Sequence, residues 1–266
     1  MRKDLILSHL GDHPWAENLL VLDETGSTNT LLKELGKQGA PHGTVVIADR
    51  QSAGRGRLGR TFLSPAGTGI YLSALIRPNV APTELMHLTC AVGVAMCDAV
   101  ETAAGIHPQI KWINDLVIGS RKLGGILTEL SLNPKTGNVD FAVLGIGINC
   151  GQQPGDFDES IRDMATSVSI AAGKPVCREQ VAAEMIRSLH AMERSLFDRK
   201  RQIMERYTKN CITVGQRIQV LRADQVLPGK ALDVAEDGSL IVEYDSGGQE
   251  AVSSGEVSVR GMYGYV

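Results

Sequence analysis

The sequence predicts an α+β fold: a mixed or antiparallel sheet with helices along one side, then a small all-β end domain. Three observations carry this. Runs rich in β-branched residues are joined by short hairpin-like turns. Helical repeats come in runs of their own instead of alternating one for one with strands. After Cys211 the helical spacing stops, and short strands parted by Gly and Asp turns take over, as in a small barrel. The 266 residues are enough for one large domain, residues 1–211, and a small one, residues 212–266.

The elements follow in order. "ENLLVLD" (17–23) reads as a strand. In "TGSTNTLLKELGKQG", Ser27 or Thr28 caps a helix whose apolar positions are Leu31, Leu32 and Leu35, stopped by Gly39 and Pro41. "GTVVIADRQ" is a second strand and "GIYLSALIRP" a third. Between them lies a loop, residues 52–69, holding five glycines and a proline. Pro82 opens an almost wholly apolar helix to residue 104, the signature of a buried helix. "PQIKWIN", "DLVIG" and "LGGILTELSL" are short strands, and "NPKTG" turns the chain into "VDFAVLGIGIN". Residues 151–175 read as irregular surface. Positions 181, 185, 189, 192, 196, 203 and 207 recur at helical spacing. "TVGQRIQVL", "VLPGKALDVA", "GSLIVEYD" and "QEAVSSGEVSVR" complete the end domain.

Composition narrows the function classes. The formal net charge is −3, with 43% hydrophobic and 21% charged residues. A nucleic-acid binder more often carries a basic face. The N-terminus has two cations and a three-residue apolar run, which fits no signal peptide, and no apolar run approaches the ~20 residues of a membrane helix. Five cysteines without a CxxC spacing point to reduced thiols in cytoplasm. The histidines form no metal-spaced cluster.

Charge is concentrated locally. "QSAGRGRLGR" (51–60) places Gly54, Gly56 and Gly59 among Arg55, Arg57 and Arg60. The glycines spell G-x-G-x-x-G after a strand, but "RTFLSPAGTG" cannot open the helix a dinucleotide fold requires. Two readings stay open: a solvated loop, or a loop whose N–H groups and guanidinium forks wrap an anion. A second cluster lies in "KWINDLVIGSRKLGGILTEL" (111–130): Lys111, Asn114, Asp115, Arg121, Lys122, Gly124 and Gly125. Charges amid apolar strand sequence need partners or ligands. Taken locally, Lys122 also reads as a turn lysine in solvent and Asp115 as a salt-bridge residue. Paired glycines inside a strand mark close approach of something to the backbone, and Gly145 and Gly147 repeat the feature.

In their order and spacing, "GSTN" (26–29), "QSAGRGRLGR" (51–60), "SPAGTGIYLS" (64–73), "KWINDL" (111–116), "RKLGGILTE" (121–129) and "GIGIN" (145–149) resemble biotin protein ligases, from about residue 15 to the C-terminus. The resemblance implies a class II synthetase-like catalytic domain of the biotin/lipoate ligase type with an SH3-like end barrel. It implies an AMP-forming biotin--[acetyl-CoA-carboxylase] ligase that uses biotin, ATP and Mg²⁺. The biotin carboxylate attacks the α-phosphate of ATP, giving biotinyl-5′-AMP and pyrophosphate. A lysine of the biotin carboxyl carrier protein then takes the biotin as an amide. Both nucleophiles belong to substrates, so the enzyme's task is to align two anions, offset their repulsion and exclude water.

Carried over by position, the resemblance assigns Ser27, Thr28, Asn29 and Gln51 to the biotin ring. Arg55, Gly56 and Arg57 belong to a loop closing over biotin and the adenylate phosphate. Lys122 contacts carboxylate and α-phosphate, and Gly124 and Gly125 leave room for the valeryl chain. Lys111, Asn114 and Asn149 serve the nucleotide. Asp115 orients Lys122, the nucleotide or a Mg²⁺ ion. Lys122, Arg57 and Asp115 form the catalytic set.

The sequence departs from the family at three places. Ile113 stands where relatives usually carry proline, Phe62-Leu63 where many carry tryptophan, and Leu58 where some carry a further basic residue. Only about 20 residues precede the first strand, too few for the winged helix-turn-helix of some relatives. The expectation is a monofunctional, cytoplasmic ligase without operator binding or membrane contact, with edge strands open to a homodimer. Two other readings remain: a lipoate or octanoate protein acyl ligase, and a biotin-sensing transcriptional regulator.

Overall fold

The structure is a computed structural model that describes residues 1–222, 225–253 and 258–261. Its first layer is a seven-stranded sheet. The strands are β1 (Leu19–Thr25), β2 (Val45–Gln51), β3 (Gly69–Ile76), β4 (Gln109–Lys111), β5 (Asp115–Ile118), β6 (Arg121–Leu132) and β7 (Val139–Asn149). They lie in the order β1-β2-β3-β7-β6-β5-β4. Only β1 and β2 run parallel; every other neighbouring pair is antiparallel. The sheet is therefore mixed, as the hairpin spacings predict.

Among the described residues six helices accompany it: α1 (Lys3–Leu10), α2 (Thr28–Lys37), α3 (Leu88–Ala104), α4 (Val168–Ala172), α5 (Arg178–Ser195) and α6 (Lys200–Asn210). Strand alternation decides which face each one covers. Val45, Ile47, Ile70, Leu72, Ala74, Ala142, Leu144 and Ile148 point to one face and join the main core with residues of α3 and α5. Val46, Leu75, Phe141 and Val143 point to the other and pack against Leu32 of α2. Helices thus cover both faces, not one. The run of helices after β7 concealed this, because α2 alone crosses over.

Three further expectations change in detail. Pro82–Leu85 is a 3-10 turn, and α3 starts only at Leu88. The 178–207 repeat is two helices broken after Ser195, though all seven repeat positions are buried. Residues 151–175 are not all surface: Gln152, Thr166, Ser167 and Val168 are buried, and α4 lies here. By length and composition alone Pro82–Ala104 would suffice to cross a membrane, but 72% of its most apolar window is buried inside the protein. The sequence count missed this because scattered Thr, Glu and His residues interrupt the run. The five cysteines are free.

The end domain is an antiparallel five-stranded sheet in the order β11-β10-β9-β8-β12. Its strands are β8 (Arg217–Arg222), β9 (Gln225–Val234), β10 (Leu240–Tyr244), β11 (Gln249–Val252) and β12 (Ser258–Gly261). The strand expected across "QEAVSSGEVSVR" is two strands, with 254–257 outside the described residues.

Candidate active site

On the face that carries α2, the sheet lacks side chains over part of its area. Gly125, Gly145 and Gly147 lie on adjacent strands there, with Gly125 paired to Gly147 and Leu127 to Gly145. A cavity of about 500 Å³ opens over them. Ser27, Thr28, Asn29, Gln51, Arg55, Gly56, Arg57, Lys111, Asn114, Asp115, Lys122 and Gly125, all singled out from sequence, line it. Gly124 and Asn149 do not. A Cβ on Gly124 would meet the Gly147 carbonyl oxygen at 2.3 Å, so this glycine lets two strands pack. Asn149 instead donates to the Thr166 carbonyl oxygen at 3.1 Å and receives Gln152 Nε2 at 3.2 Å.

One end of the cavity is lined by uncharged polar side chains from the start of α2. Ser27, Thr28 and Asn29 are buried at the start of α2. Ser27 occupies the N-cap position but makes no side-chain capping bond. The helix start is instead tied to β2: the Thr28 N–H donates to Gln51 Oε1 at 2.8 Å. Gln51 Nε2 in turn donates to Ser64 Oγ at 2.9 Å, which leaves the Gln51 amide no freedom to flip. Asn29 is fixed from beneath. Its Nδ2 donates to the Leu127 carbonyl oxygen at 3.1 Å and to Glu129 Oε2 at 3.0 Å, and its Oδ1 lies 2.6 Å from Ser73 Oγ. Both amide protons are used, and Oδ1, which accepts from Ser73 Oγ, has a second lone pair for one more hydrogen bond. Gly145 makes this possible: a Cβ there would sit 2.0 Å from Asn29 Oδ1.

The other end is charged. Lys122 Nζ donates to Asp115 Oδ1 at 2.7 Å, on neighbouring strands. Arg57 Nη1 donates to Asn114 Oδ1 at 3.1 Å, and Asn114 Nδ2 to the Ile126 carbonyl oxygen at 3.0 Å. Burial pulls the Arg57 guanidinium below its ordinary value, and the charge of Asp115 opposes that. Lys122 is held from behind by the 151–175 segment: its N–H donates to Met164 O at 2.7 Å and its carbonyl receives the Thr166 N–H at 2.8 Å. Lys111 lines the same end. Strand rise and strand spacing put the Gly145 and Gly125 positions, and hence the two ends, roughly 8 Å apart.

The glycine-arginine loop roofs the cavity as a hairpin. Arg55 bridges to Thr61, the Gly56 N–H donates to Arg60 O at 2.7 Å, and the Phe62 N–H to Gly54 O at 2.9 Å. The Gly56 N–H is spent inside the loop and so does not serve an anion here. Arginine side chains supply the positive charge instead. Leu58 (φ 54°) and Gly59 (φ 72°) form the left-handed tip.

Sequence reading missed Ser73, Glu129, Trp112 and Met164, and it named Phe62 only as a departure from the family. For the first two the signal existed: alternation from Gly145 across β3 and β6 places 73 and 129 on the cavity face. Phe62 lies against Gly147, where a Cβ would meet its ring at 2.5 Å. The Trp112–Ile113 peptide is cis.

No cluster of three or more metal-ligating side chains occurs among the described residues. A magnesium ion held mainly by nucleotide phosphates needs only one or two protein carboxylates. The single carboxylate of Asp115 fits an ion that arrives with the nucleotide.

A fixed neutral acceptor at one end and two cations at the other define a site for a ligand with a hydrogen-bonding head and an anionic tail. Consistent with that, residues 21–149 match the Biotin/lipoate A/B protein ligase family, and residues 213–260 match the Biotin protein ligase C terminal domain. The bifunctional ligase/repressor BirA of Bacillus subtilis is 34% identical over 87% of this chain and 71% of its own. The biotin--[acetyl-CoA-carboxylase] ligase of Mycobacterium tuberculosis is 33% identical over 89% of this chain and 87% of its own. The biotin protein ligase of Aquifex aeolicus, solved in complex with biotin and ATP, superposes with a TM-score of 0.77 at 30% identity, covering 92% of this chain and 99% of that one. The chain belongs to the biotin protein ligase family.

Proposed function

We propose that the protein activates biotin with ATP and transfers it to a lysine of a biotin carboxyl carrier protein. The observation that carries the reading is the two-ended cavity. The ureido ring of biotin offers N–H donors and a carbonyl acceptor that need buried polar partners; Asn29 Oδ1 accepts and the Ser27 hydroxyl donates, while the Thr28 hydroxyl donates to Gln51 Oε1 and helps to hold the helix start. The carboxylate then reaches Lys122 and Arg57. There its oxygen attacks the α-phosphorus, the bond to the bridging oxygen breaks, and pyrophosphate leaves. Lys122 and Arg57 offset the repulsion between carboxylate and phosphate in a site with little water. Asp115 holds Lys122 in line and takes part in binding the Mg²⁺ that accompanies the nucleotide, with Lys111 and Asn114 beside the phosphates. In the second step the carrier lysine attacks the acyl carbon, AMP departs and the amide forms.

We take residues 1–211 as the catalytic domain and 212–266 as a small β domain. ATP consumption and unpaired cysteines support action in the cytoplasm. β1, an edge strand, is where a second copy would pair; sedimentation with and without ligands tests this.

The decisive experiment incubates the protein with biotin, ATP, Mg²⁺ and a carrier domain. The expected result is the mass gain of one biotinyl group on the carrier's lysine. Transfer of lipoate or octanoate but not biotin would favour the acyl-ligase alternative. Tight duplex DNA binding at physiological salt would favour the regulator.

A further inference from the structure

The Glu129 carboxylate touches three side chains, two from α2 and one from the roof loop. Lys33 of α2 donates to Oε1 at 2.9 Å, Asn29 donates to Oε2 at 3.0 Å, and Arg55 of the roof loop reaches Oε1 at 3.4 Å. Glu129 is not itself part of the cavity lining. Burial pushes its carboxyl up, but the Lys33 and Asn29 hydrogen bonds and the charges of Lys33 and Arg55 outweigh that and hold it below the usual range. It therefore stays ionised at neutral pH.

We propose that Glu129 is a positioning residue: one carboxylate aims the Asn29 acceptor into the cavity and pins the roof loop through Arg55. The two contacts use different oxygens, so they are separable. The Asn29 bond governs how biotin is held. The Arg55 contact governs how long the roof stays down over the adenylate, a mixed anhydride that must not escape before the carrier arrives. Lys33 of α2 shares Oε1 with Arg55 and fills the remaining charge demand, but it belongs to a helix and not to the roof loop. The loop is thereby fastened at two points: to Glu129 through Arg55 on the ring side, and to Asn114 through Arg57 on the phosphate side.

This inference rests on the ligase reading above. The test measures biotinyl-adenylate released into solution, in the absence of carrier, against adenylate retained on the protein. Glu129→Gln keeps an acceptor for Asn29 but removes the charge facing Arg55. It should raise the release rate about two- to fivefold, with biotin KM changed less than about twofold, the scale of an ion pair half exposed to water. Glu129→Ala should raise biotin KM as well. Arg55→Gln should raise release, and adding Glu129→Gln to it should add nothing. Lys33→Met, which removes a closer partner of the same carboxylate, should leave release near wild type. Additive effects of the Arg55 and Glu129 changes, or equal leakage from Lys33→Met, would overturn the proposal. Circular dichroism of each variant separates misfolding from leakage. If wild-type protein forms no adenylate, the ligase reading itself fails; if only Glu129→Gln behaves like wild type, the positioning role alone fails.

Discussion

The indole N–H of Trp112 donates to the Gly238 carbonyl oxygen at 2.9 Å, joining the end domain to the strand end that carries Lys111, Asn114 and Asp115. Two more bonds brace the same stretch: the Trp112 N–H to Thr213 Oγ1 at 3.0 Å, and Tyr207 Oη to the Ile113 carbonyl oxygen at 3.1 Å. The charged end of the cavity is thus braced by the end domain and α6, whereas the polar end rests on β2, β3 and β6. Trp112→Phe strands the Gly238 carbonyl and should cost about 1–3 kcal/mol of stability. It should raise KM for ATP several-fold and leave biotin affinity almost unchanged. Calorimetry with biotin beside pyrophosphate-release kinetics in ATP checks this; equal loss for both ligands would refute the asymmetry.

Gly145 offers a sharper probe of the ring end. A methyl group there would fall 2.0 Å from Asn29 Oδ1, with the amide already bonded on its other sides. The acceptor must swing away or lose its partners. Gly145→Ala should weaken biotin about 10–100-fold, the equivalent of one buried hydrogen bond lost. Titration calorimetry measures it, and unchanged affinity would show that Asn29 does not meet the ring.

Lys122 tests the charged end. Its ammonium sits 2.7 Å from Asp115 in the cavity lining. Lys122→Ala should slow adenylate formation ~100-fold or more, as expected when a preorganised charge at the reacting atoms is removed. Biotin affinity should fall less than the rate. A normal burst of pyrophosphate would exclude the role.

Much of this site was legible because its chemistry is written in short stretches. Ser27–Asn29, the 54–60 loop and Lys111–Gly125 each appear as a local cluster, and the structure gathers nearly all of them around one cavity. The sheet was legible because hairpin spacing and β-branched runs are local signals. What escaped depends on residues meeting across the fold. Glu129 reads as an ordinary strand-end acid until α2 brings Lys33 and Asn29 over it. α2 itself reads like any other helix, and nothing in its repeat reveals that it lies on the face opposite α3. Gly124 and Gly125 are adjacent and alike in sequence, yet alternation sends only one into the cavity. The break after Ser195 is invisible because Leu196 and Ile203 keep helical spacing on either side of it.

The last prediction concerns pH. Trp15 is buried with its ring against His13, His42 and His190, at centroid distances of 6.2, 5.9 and 5.4 Å, and over Gly43. Burial lowers the His13 ring, aided by repulsion from His190 and Arg187, and lowers His190, aided by Arg194 but opposed by Glu193. His87, buried under Leu196, is lowered for the same first reason. His13 Nε2 and His87 Nδ1 have no hydrogen-bond partner among the described residues, so protonation would bury an unmatched N–H. A folded value below the unfolded one means the unfolded chain binds more protons as acid is added. The stability these rings support is complete above the ordinary histidine value of 6.5 and is lost as pH falls through their folded values. His107 works the other way: its bond to Glu101 raises it, so it adds stability in acid that disappears as pH rises through its folded value. That pair is exposed, so it counts for little. Three lowered rings against one raised one give the net sign. The melting temperature should fall between pH 7.5 and 5.5 by several degrees, at roughly 2–4 °C per kcal/mol for a chain of this size. The double change His13→Gln, His190→Gln should flatten that slope, whereas His107→Gln should steepen it slightly. A melting temperature that rises on acidification, or a slope untouched by the double change, would mean that the Trp15 cluster does not control acid stability.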